Sequence, residues 1–542
     1  MPGEWNIRSN GMPQAGCDIL KEESTMKKQA FNPYLPTYEY IPDGEPRVFG
    51  DRLYVYGSHD RAQGTKYCEN DYVCWSAPVD DLGNWRYEGV IFKKIQEPLY
   101  NGKDRCYLYA PDVVQGVDGR YYLYYSMENT EVISVAVCDT PAGQYEFLGH
   151  VHDENGYEPG SSDGDWIQFD PGVLVDDDGR VYLYSGFNPF FPYKPWRTYV
   201  GAYVMELKAD MVTMTGKPKI IMPAQNKDLG NHNFFEASSI RKVGDTYYFV
   251  YSSQQCVELC YATSAYPDRD FTYRGTIISN IDVGVDGNTE PRNHGGNNHG
   301  GMVKIGEQWY IFYHRPTNQT MFSRQGSAEP IVIEPDGSIK QVEMTSCGLN
   351  GGPLRGEGTY TAGIVCNIFS KGSENVKLDD IRDNEKREAG MPYLIQDGED
   401  IDLEQDSELN SFGHLTQGNE GFDLCPEVQN AGICEDMRKG TYVTQIRDGG
   451  VLGFKYFDIK DLKAVRVRIR GCGDGNVIIS SNRADEADEL NVIARIPVSV
   501  SDEKEWKDFC DEAKAEPGVY PLYISYHGSG EIQLQEFELI AK

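Results

Sequence analysis

The sequence predicts an all-β protein, a five-bladed β-propeller followed by a C-terminal β-sandwich of jelly-roll type. The main observation is a short phrase that occurs five times, a Gly-marked turn followed by a tyrosine-rich apolar run. Such a turn before β-branched and aromatic residues predicts a β-hairpin. The five copies are GDRLYVY at 50–56, DGRYYLYY at 118–125, DGRVYLY at 178–184, GDTYYFVY at 244–251 and GEQWYIFY at 306–313.

The spacing of the copies predicts their arrangement in space. Their central tyrosines are separated by 68, 60, 66 and 62 residues and are Tyr54, Tyr122, Tyr182, Tyr248 and Tyr310. A small antiparallel sheet repeated at a near-constant interval is typical of a propeller, in which each blade becomes stable by stacking against its neighbours. The sequence therefore predicts five blades around one central channel.

Composition and residue pattern divide the chain into four predicted segments. Residues 1–30 are polar and contain several Gly and Pro, so we expect a poorly ordered leader. Strand and turn patterns continue through residues 31–360, the predicted propeller. Residues 361–391 are charged in their later part and are predicted to be a linker. Alternating runs separated by turns predict the β-sandwich over residues 392–542.

The charge of the chain restricts the class of ligand. The 542 residues carry a formal net charge of −33. This balance argues against nucleic acid and anionic membrane surfaces, because phosphate groups need Lys or Arg to neutralise them. A neutral ligand such as a carbohydrate fits the remaining possibilities.

Targeting and redox signals indicate the compartment. No apolar run reaches the roughly 18 residues of a membrane-spanning helix. The first residues, MPGEWNIRSN, lack the basic start and apolar core of a secretion signal. We therefore expect a cytoplasmic protein, and we expect its 13 cysteines to be free thiols.

Three acidic residues precede hairpins at matching positions. Asp43, Asp170 and Glu236 stand 11 or 12 residues before the central tyrosines of their repeats. Carboxylates at one position in three blades would converge on one channel, where glycoside hydrolysis needs a protonated acid and an ionised base. Asp43 and Asp170 also fit ordinary turns. Glu236 lies in the apolar run FFEA, where burial would raise its pKa and keep it protonated, as a general acid requires.

Five motifs in residues 32–356 together resemble glycoside hydrolase family 43. They are IPDGEP at 41–46, YAPDVV at 109–114, FDPGVLVDDDG at 169–179, FFEASSI at 234–240 and NNHGGM at 297–302. The resemblance implies a five-bladed propeller that cleaves xylosyl and arabinofuranosyl bonds with inversion. It implies Asp43 as the general base and Glu236 as the general acid. It implies Asp170 as the third carboxylate, which raises the pKa of the acid and orients its side chain.

The resemblance also implies residues that bind substrate, each with a simpler alternative. His299 would contact the sugar or a water-coordinated calcium ion, or it is a hydrogen-bonded structural histidine. Arg324 would touch substrate hydroxyls, or it forms a surface salt bridge. Asp112 would line the pocket, or it serves packing alone. The aromatic residues that we expect either to stack on sugar or to fill the core are Trp75, Trp166 and Phe235.

The C-terminal region resembles a family 6 carbohydrate-binding module. The resemblance rests on GGVLGFKYFDI at 449–459, AVRVRIRGCGDG at 464–475 and GVYPLYISYHGSGEIQLQEFEL at 518–539. Such modules bind sugars by aromatic stacking, and this region contains one Trp, Trp506. The alternative is a docking domain that closes one side of the active site or stabilises the propeller.

These observations lead to one main hypothesis and three alternatives. We expect an exo-acting, inverting β-xylosidase or α-L-arabinofuranosidase that acts on imported oligosaccharides derived from xylan or arabinoxylan. No cofactor is expected to be required, although a structural calcium ion fits the pattern. The alternatives are an endo-arabinanase, a non-catalytic sugar-binding propeller and a protein-interaction propeller. The last of these leaves the three matched carboxylates unexplained.

Overall fold

The computed structural model describes residues 28–62, 64, 66–102, 106–189, 194–318, 321–370, 391–396, 441–484 and 489–541. Within these ranges the chain is almost entirely β-strand and loop. Short 3-10 helices interrupt it at η1 (Lys94–Gln96), η2 (Gly230–His232), η3 (Val285–Gly287), η4 (Gly348–Asn350) and η5 (Ala362–Ile364). No helix in the described part of the chain is long and apolar enough to cross a membrane.

The first nineteen strands form five successive antiparallel sheets, which are the blades of a propeller. Blades 1 to 4 have four strands each, and blade 5 has three. The strands are β1 (Glu45–Phe49), β2 (Arg52–Tyr56), β3 (Tyr72–Pro78), β4 (Arg86–Phe92), β5 (Asp112–Gln115), β6 (Tyr121–Ser126), β7 (Ile133–Cys138), β8 (Glu146–His150), β9 (Gly172–Val175), β10 (Val181–Ser185), β11 (Gly201–Leu207), β12 (Lys219–Pro223), β13 (Phe234–Val243), β14 (Thr246–Ser253), β15 (Glu258–Ser264), β16 (Thr272–Ser279), β17 (Met302–Ile305), β18 (Gln308–Pro316) and β19 (Arg324–Ile331).

The predicted repeat is confirmed. Each central tyrosine lies in the second strand of its blade, directly after the turn that leaves the innermost strand. Gly179, in the turn before β10, has φ of 82°, and Gly244, in the turn before β14, has φ of 59°. These positive angles are accessible to glycine without a steric cost, so the glycines permit the tight hairpins.

Apolar clusters between neighbouring blades close the ring. Blades 1 and 2, 2 and 3, 3 and 4, and 4 and 5 each share one cluster of buried side chains. A further cluster joins Val55 of blade 1 to Phe312 of blade 5, which completes the circle. Tyr34 packs into the same cluster, with its ring centroid 5.1 Å from that of Phe312.

The remaining nine strands form one C-terminal sheet. They are β20 (Leu354–Arg355), β21 (Gly358–Thr361), β22 (Asn367–Phe369), β23 (Tyr393–Gln396), β24 (Thr441–Ile446), β25 (Gly450–Ile459), β26 (Leu462–Ser480), β27 (Val492–Glu512) and β28 (Gly518–Ala541). The first half of β28 pairs with β25, and its second half pairs with β24 and β21.

The long strands bring two parts of this sheet face to face around one core. The ring of Phe454 in β25 lies 4.8 Å from the ring of Phe537, which belongs to the second half of β28. The prediction of an all-β C-terminal region is confirmed. Strand β26 pairs with β28 along almost its whole length, which joins the facing parts into one continuous ladder.

Two predicted domain boundaries need correction. The propeller was predicted to extend to residue 360, but β20 and β21 pair with β25 and β28 of the C-terminal sheet. The predicted linker 361–391 contains η5 and β22 in its described part, and both are buried. These elements have only two to four residues each, so they leave no periodic pattern in the sequence.

The predicted leader also needs a boundary correction at its end. Residues 1–27 lie outside the described residues, whereas residues 28–30 have defined contacts. Ala30 is 4% exposed, and the side chain of Gln29 accepts a hydrogen bond from the Arg355 backbone. The end of the predicted leader is therefore packed against the C-terminal region.

Candidate active site

The three predicted carboxylates converge on one cavity of about 460 Å³. Asp43 lies two residues before β1, Asp170 lies two residues before β9, and Glu236 is the third residue of β13. These are the innermost strands of blades 1, 3 and 4. All three acids thus lie at or just before the start of an inner strand, as predicted, and this shared position brings them together at the channel.

The backbone at these positions has an uncommon conformation. Asp43 has φ of 58°, Asp170 has φ of 44°, and Ala237, which follows Glu236, has φ of 66°. Residues with a Cβ rarely adopt the left-handed region, and such strain persists where the surrounding packing enforces it. The propeller thus holds both aspartates and the residue after the glutamate in geometries that an isolated chain would avoid.

Asp43 is held as an anion. Its Oδ2 accepts a hydrogen bond of 2.5 Å from the Ser58 hydroxyl, and its Oδ1 accepts one of 3.2 Å from the Arg324 guanidinium. Burial alone would raise the pKa of this carboxyl, but the charge of Arg324 overrides burial and holds the pKa of Asp43 below its usual range. An ionised carboxylate in this position can accept a proton from water.

His314 fixes the backbone of the same residue. Its Nε2–H donates to the carbonyl of Asn297 at 2.7 Å, so its Nδ1 is free to accept from the Asp43 amide N–H at 3.0 Å. His314 is completely buried. Neither His314 nor Ser58 was predicted from the sequence, because both reach Asp43 through the tertiary fold.

Glu236 has the opposite electrostatic character. Its side chain lies in the buried wall of the cavity. Burial, followed by the negative charge of Asp43, raises the pKa of Glu236 to about 8, although Arg324 opposes the shift. A carboxyl with this pKa keeps its proton at neutral pH and can donate it, as a general acid must, and the role of Glu236 stays a prediction.

Asp170 lies beside His299 and beside the residue that follows Glu236. Its Oδ2 accepts a hydrogen bond of 3.1 Å from the Ala237 amide and lies 3.5 Å from Nδ1 of His299. Burial raises the pKa of Asp170, His299 opposes the shift, and the charges of Glu236 and Asp43 add to it. The hydrogen bond from the Ala237 amide favours the charged form of Asp170.

Comparison with known proteins decides the family. The family described as "Glycosyl hydrolases family 43" matches residues 41–339, more than half of the chain. The chain belongs to this family. A "Xylosidase/arabinosidase" of Thermoclostridium stercorarium is 46% identical over 521 residues, which cover 95% of this chain and 99% of the relative. A "Beta-xylosidase" of Xylanibacter ruminicola is 28% identical over 57% of this chain and 99% of its own length.

One solved structure of family 43 also resembles this chain. It is a family 43 β-xylosidase/α-arabinofuranosidase from a compost microbial metagenome in complex with xylotriose. It is 26% identical, covers 57% of this chain and 96% of its own chain, and superposes with a TM-score of 0.46. The protein described here is a glycoside hydrolase, as predicted.

Arg324 of this family 43 enzyme lies inside the cavity rather than on the surface. It is 2% exposed, and Asp60 accepts hydrogen bonds from its Nε at 2.8 Å and from its second terminal nitrogen at 2.9 Å. The predicted alternative of a surface salt bridge is therefore wrong. Asp60 was not identified from the sequence, where it appears only as a polar residue after β2.

His299 also lies in the cavity wall. Its Nδ1 is 3.5 Å from Asp170 and 3.9 Å from Asp43. Its Nε2 is buried and has no hydrogen-bond partner among the residues that the structure describes. A buried ring nitrogen without a protein partner fits a water molecule or a water-coordinated cation, and the calcium site stays a prediction.

A run of aromatic rings forms one wall of the cavity. Successive ring centroids are separated by 5.5 Å, 4.9 Å and 5.3 Å along Tyr109, Phe169, Phe187 and Phe235. The predicted cavity position of Phe235 is thus found, together with three rings that were not selected from the sequence. The wall offers apolar surface on which the face of a sugar ring can stack.

Three predicted positions lie elsewhere. Asp112 is completely buried beside Arg47 and accepts a hydrogen bond from the Val173 amide, so its carboxylate joins inner strands rather than lining the cavity. Trp75 is fully buried in the core of blade 1 and donates to Glu39. Trp166 packs edge-on against Tyr203 and lies outside the catalytic cavity. For Asp112 and Trp75, the packing alternative is the one that the structure supports.

One further group of metal-ligand side chains lies close to the cavity. The ligand atoms of His232, Glu258 and Cys260 are within 4.8 Å of one another. Nδ1 of His232 is 2.6 Å from the Glu258 carboxylate, which also accepts hydrogen bonds from Ser253 and Thr276. These contacts account for the cluster without an ion.

All ten cysteines in the described residues are free thiols, in agreement with the prediction.

Trp506 of the C-terminal sheet has its ring faces partly occupied. The guanidinium of Arg470 lies 4.3 Å from the centroid of its ring, and the ring of Tyr442 lies 5.4 Å away. A ring that already contacts a cation and a second aromatic ring has little free face for a sugar.

Proposed function

We propose that this family 43 enzyme is an exo-acting, inverting glycosidase that releases xylose and arabinofuranose from oligosaccharides derived from xylan or arabinoxylan. The observation that supports it most directly is the pair of carboxyl groups with opposite pKa shifts in one cavity. Asp43 is kept ionised by Arg324, and Glu236 is kept protonated by burial. The names of the relatives, xylosidase/arabinosidase and β-xylosidase, supply the sugar class.

In the proposed reaction the two groups act in one step. Asp43 takes a proton from a water molecule while that water attacks the anomeric carbon of the sugar. Glu236 gives its proton to the glycosidic oxygen as the bond from the anomeric carbon to that oxygen breaks. The products are a free sugar of inverted configuration and a shortened oligosaccharide, with Asp43 protonated and Glu236 ionised until solvent resets them.

Ion pairs join the inner strands of different blades beside the catalytic carboxyls. Arg241 of blade 4 forms an ion pair of 2.7 Å with Glu45 of blade 1, and Arg47 pairs with Asp112 of blade 2.

A cation held through water at His299 is part of the proposal. The unpartnered Nε2 supports it, because a buried ring nitrogen gains from a bridging water. A bound cation would supply positive charge near the carboxylates. The proton transfers remain with Asp43 and Glu236.

The decisive experiment compares aryl β-xyloside and aryl α-L-arabinofuranoside as substrates for the wild type, Glu236→Gln and Asp43→Asn. We expect the wild type to cleave one or both, and each variant to lose about three orders of magnitude in kcat. A dinitrophenyl leaving group needs little protonation, so it should restore much of the activity of Glu236→Gln and none of Asp43→Asn. A wild type that cleaves neither substrate but hydrolyses linear arabinan internally would replace the proposal by the endo-arabinanase alternative.

A further inference from the structure

A second cavity adjoins the catalytic one. It has a volume of about 520 Å³ and is formed by three stretches of chain, 153–159, 164–168 and 214–218. Gln168 lines both cavities, so the two are neighbours in the surface of blades 2 and 3. Gln168 is also two residues before Asp170, so one loop before β9 contributes to both the second cavity and the catalytic site.

Exposed aromatic rings are concentrated in this region. Among the described residues, the aromatic side chains that are strongly exposed are Tyr157 at 42%, Trp196 at 46% and Tyr266 at 44%. Tyr157 lines the second cavity, and the carbonyl of Trp196 accepts a hydrogen bond from Gly164 in its wall. Tyr266 lies in blade 4, where the Arg269 guanidinium covers its ring at 3.7 Å.

A preformed scaffold holds the ring of Tyr157 and the backbone of the segment that carries Trp196. The Tyr157 hydroxyl donates to Asp165 at 2.5 Å, and the same carboxylate accepts from the amides of Gly160 and Ser162 at 2.9 Å and 3.0 Å. The amide of Thr198 donates to the Asp165 carbonyl at 2.9 Å, which fixes the segment that carries Trp196. Binding to rings that are already positioned costs little conformational entropy.

The charge around the cavity restricts its ligand. The cavity is lined by the carboxylates of Asp153, Glu154 and Asp165 and by one cation, Lys217. Carboxylates accept hydrogen bonds from sugar hydroxyls and repel anionic groups. Aromatic faces with carboxylate neighbours therefore fit a neutral sugar chain.

We propose that the groove formed by Gln168, Tyr157 and Trp166, with the exposed Trp196 on the adjoining segment, binds the leaving-group side of the substrate, a neutral chain of several pentose units. This inference rests on the proposed function and extends it. The cleaved sugar occupies the catalytic cavity, while the chain from which it departs runs over Gln168 into the second cavity. The enzyme then prefers branched or extended oligosaccharides over disaccharides.

The test uses two substrates that differ only in the leaving-group side. An aryl α-L-arabinofuranoside has no sugar chain, whereas arabinofuranosylated xylopentaose extends beyond the bond that is cleaved. For Trp196→Ala and Tyr157→Ala, we expect kcat/KM on the oligosaccharide to fall about tenfold through KM, as loss of a stacked ring predicts. The same variants should retain wild-type kcat/KM on the aryl substrate.

Tyr266→Ala is the matched control, since it removes an equally exposed ring outside the groove. Equal losses on both substrates, or no loss on the oligosaccharide, would overturn the groove assignment. Failure of the proposed function has a different signature, a wild type inactive on both substrates. In that case calorimetric titration with xylohexaose still tests the groove, because binding should weaken in Trp196→Ala and remain unchanged in Tyr266→Ala.

Discussion

Arg324 donates a 3.2 Å hydrogen bond to the Asp43 carboxylate from a position that is 2% exposed. The guanidinium is oriented in turn by Asp60, which accepts from the Arg324 backbone amide as well as from its side chain. A cation placed in this way stabilises the charged form of the base and lies within the cavity where substrate hydroxyls would arrive. Arg324 of blade 5 thus links two carboxylates of blade 1, Asp60 and Asp43.

Replacement of Asp60 by Asn should disturb catalysis through Arg324. The variant keeps the size of the side chain but removes the charge that holds the guanidinium, so Arg324 stabilises the Asp43 anion less well. We expect kcat/KM on an aryl β-xyloside to fall at least about tenfold. We also expect the acidic limb of its pH profile to move to higher pH, because the pKa of Asp43 rises.

Asp139→Asn is a suitable control for this variant. Asp139 also pairs with an arginine, Arg120, at 2.9 Å, but the pair lies on the surface. It should leave both rate and pH profile unchanged. A loss of rate in Asp60→Asn without any movement of the acidic limb would show that Asp60 supports the fold and not the ionisation of Asp43.

The pH dependence of wild-type kcat/KM should be asymmetric. Glu236 must be protonated to act, and its pKa is raised to about 8, so activity should fall as the pH rises through about 8. Asp43 must be ionised, and its pKa lies below its usual range, so activity should persist to below about pH 4 before it falls. The profile of kcat/KM reports these groups in the free enzyme.

A dinitrophenyl glycoside provides the control for the alkaline limb. Its leaving group departs without protonation, so the fall near pH 8 should flatten for this substrate in both the wild type and Glu236→Gln. An alkaline limb that is equally steep with both leaving groups would assign it to another residue.

The inner-strand carboxylates could be predicted because their positions follow from the repeat. Asp43, Asp170 and Glu236 stand 11 or 12 residues before the central tyrosines of their blades, and the hairpin geometry places residues at such similar separations at the same end of the inner strands. Glu236 could also be assigned an elevated pKa, since its apolar neighbours in the sequence lie beside it in the strand. Local sequence contains this information.

Asp112 and Trp75 could not be placed in the same way. Both lie in correctly predicted blades, but the direction in which a side chain points depends on partners from other blades and strands. Asp112 meets Arg47 of blade 1, and Trp75 meets Glu39, which lies 36 residues earlier in the chain.

Asp60 was missed for the same reason, because Arg324 is 264 residues away from it. Short β20 to β22 were missed because each has too few residues to show alternation.

Removal of divalent cations tests the proposed site at His299. We expect EDTA to lower both activity and the unfolding temperature of the wild type, with recovery on addition of Ca²⁺, because a bound ion stabilises the folded state by mass action. His299→Ala should be insensitive to both treatments. A wild type that loses neither activity nor stability in EDTA, and contains no metal by mass spectrometry, would leave His299 as a water-bonded residue.

Arg315 connects the propeller to the C-terminal region, and its removal should destabilise both together. Its two terminal nitrogens donate to the carbonyls of Val365 and Cys366 at 3.2 Å to 3.3 Å, and the side chain is 1% exposed. Arg315→Ala would remove both of its hydrogen bonds to the buried Val365 carbonyl, whereas the Cys366 carbonyl would keep its hydrogen bond from the Asn367 side chain. We expect the free energy of unfolding to fall by about 3 kcal/mol, as the loss of buried, charge-assisted hydrogen bonds predicts.

The measurement is the unfolding transition followed by calorimetry and by tryptophan fluorescence. If the C-terminal region is a structural part of the enzyme, Arg315→Ala should lower the temperature of one shared transition. Two separate transitions, of which the propeller transition is unchanged, would instead indicate an independent module. Arg274→Ala is the control, because Arg274 is exposed on blade 4 and makes a single long contact of 3.4 Å to the carbonyl of Asp336. It should leave the transition where it is, since a solvated contact of that length contributes little to stability.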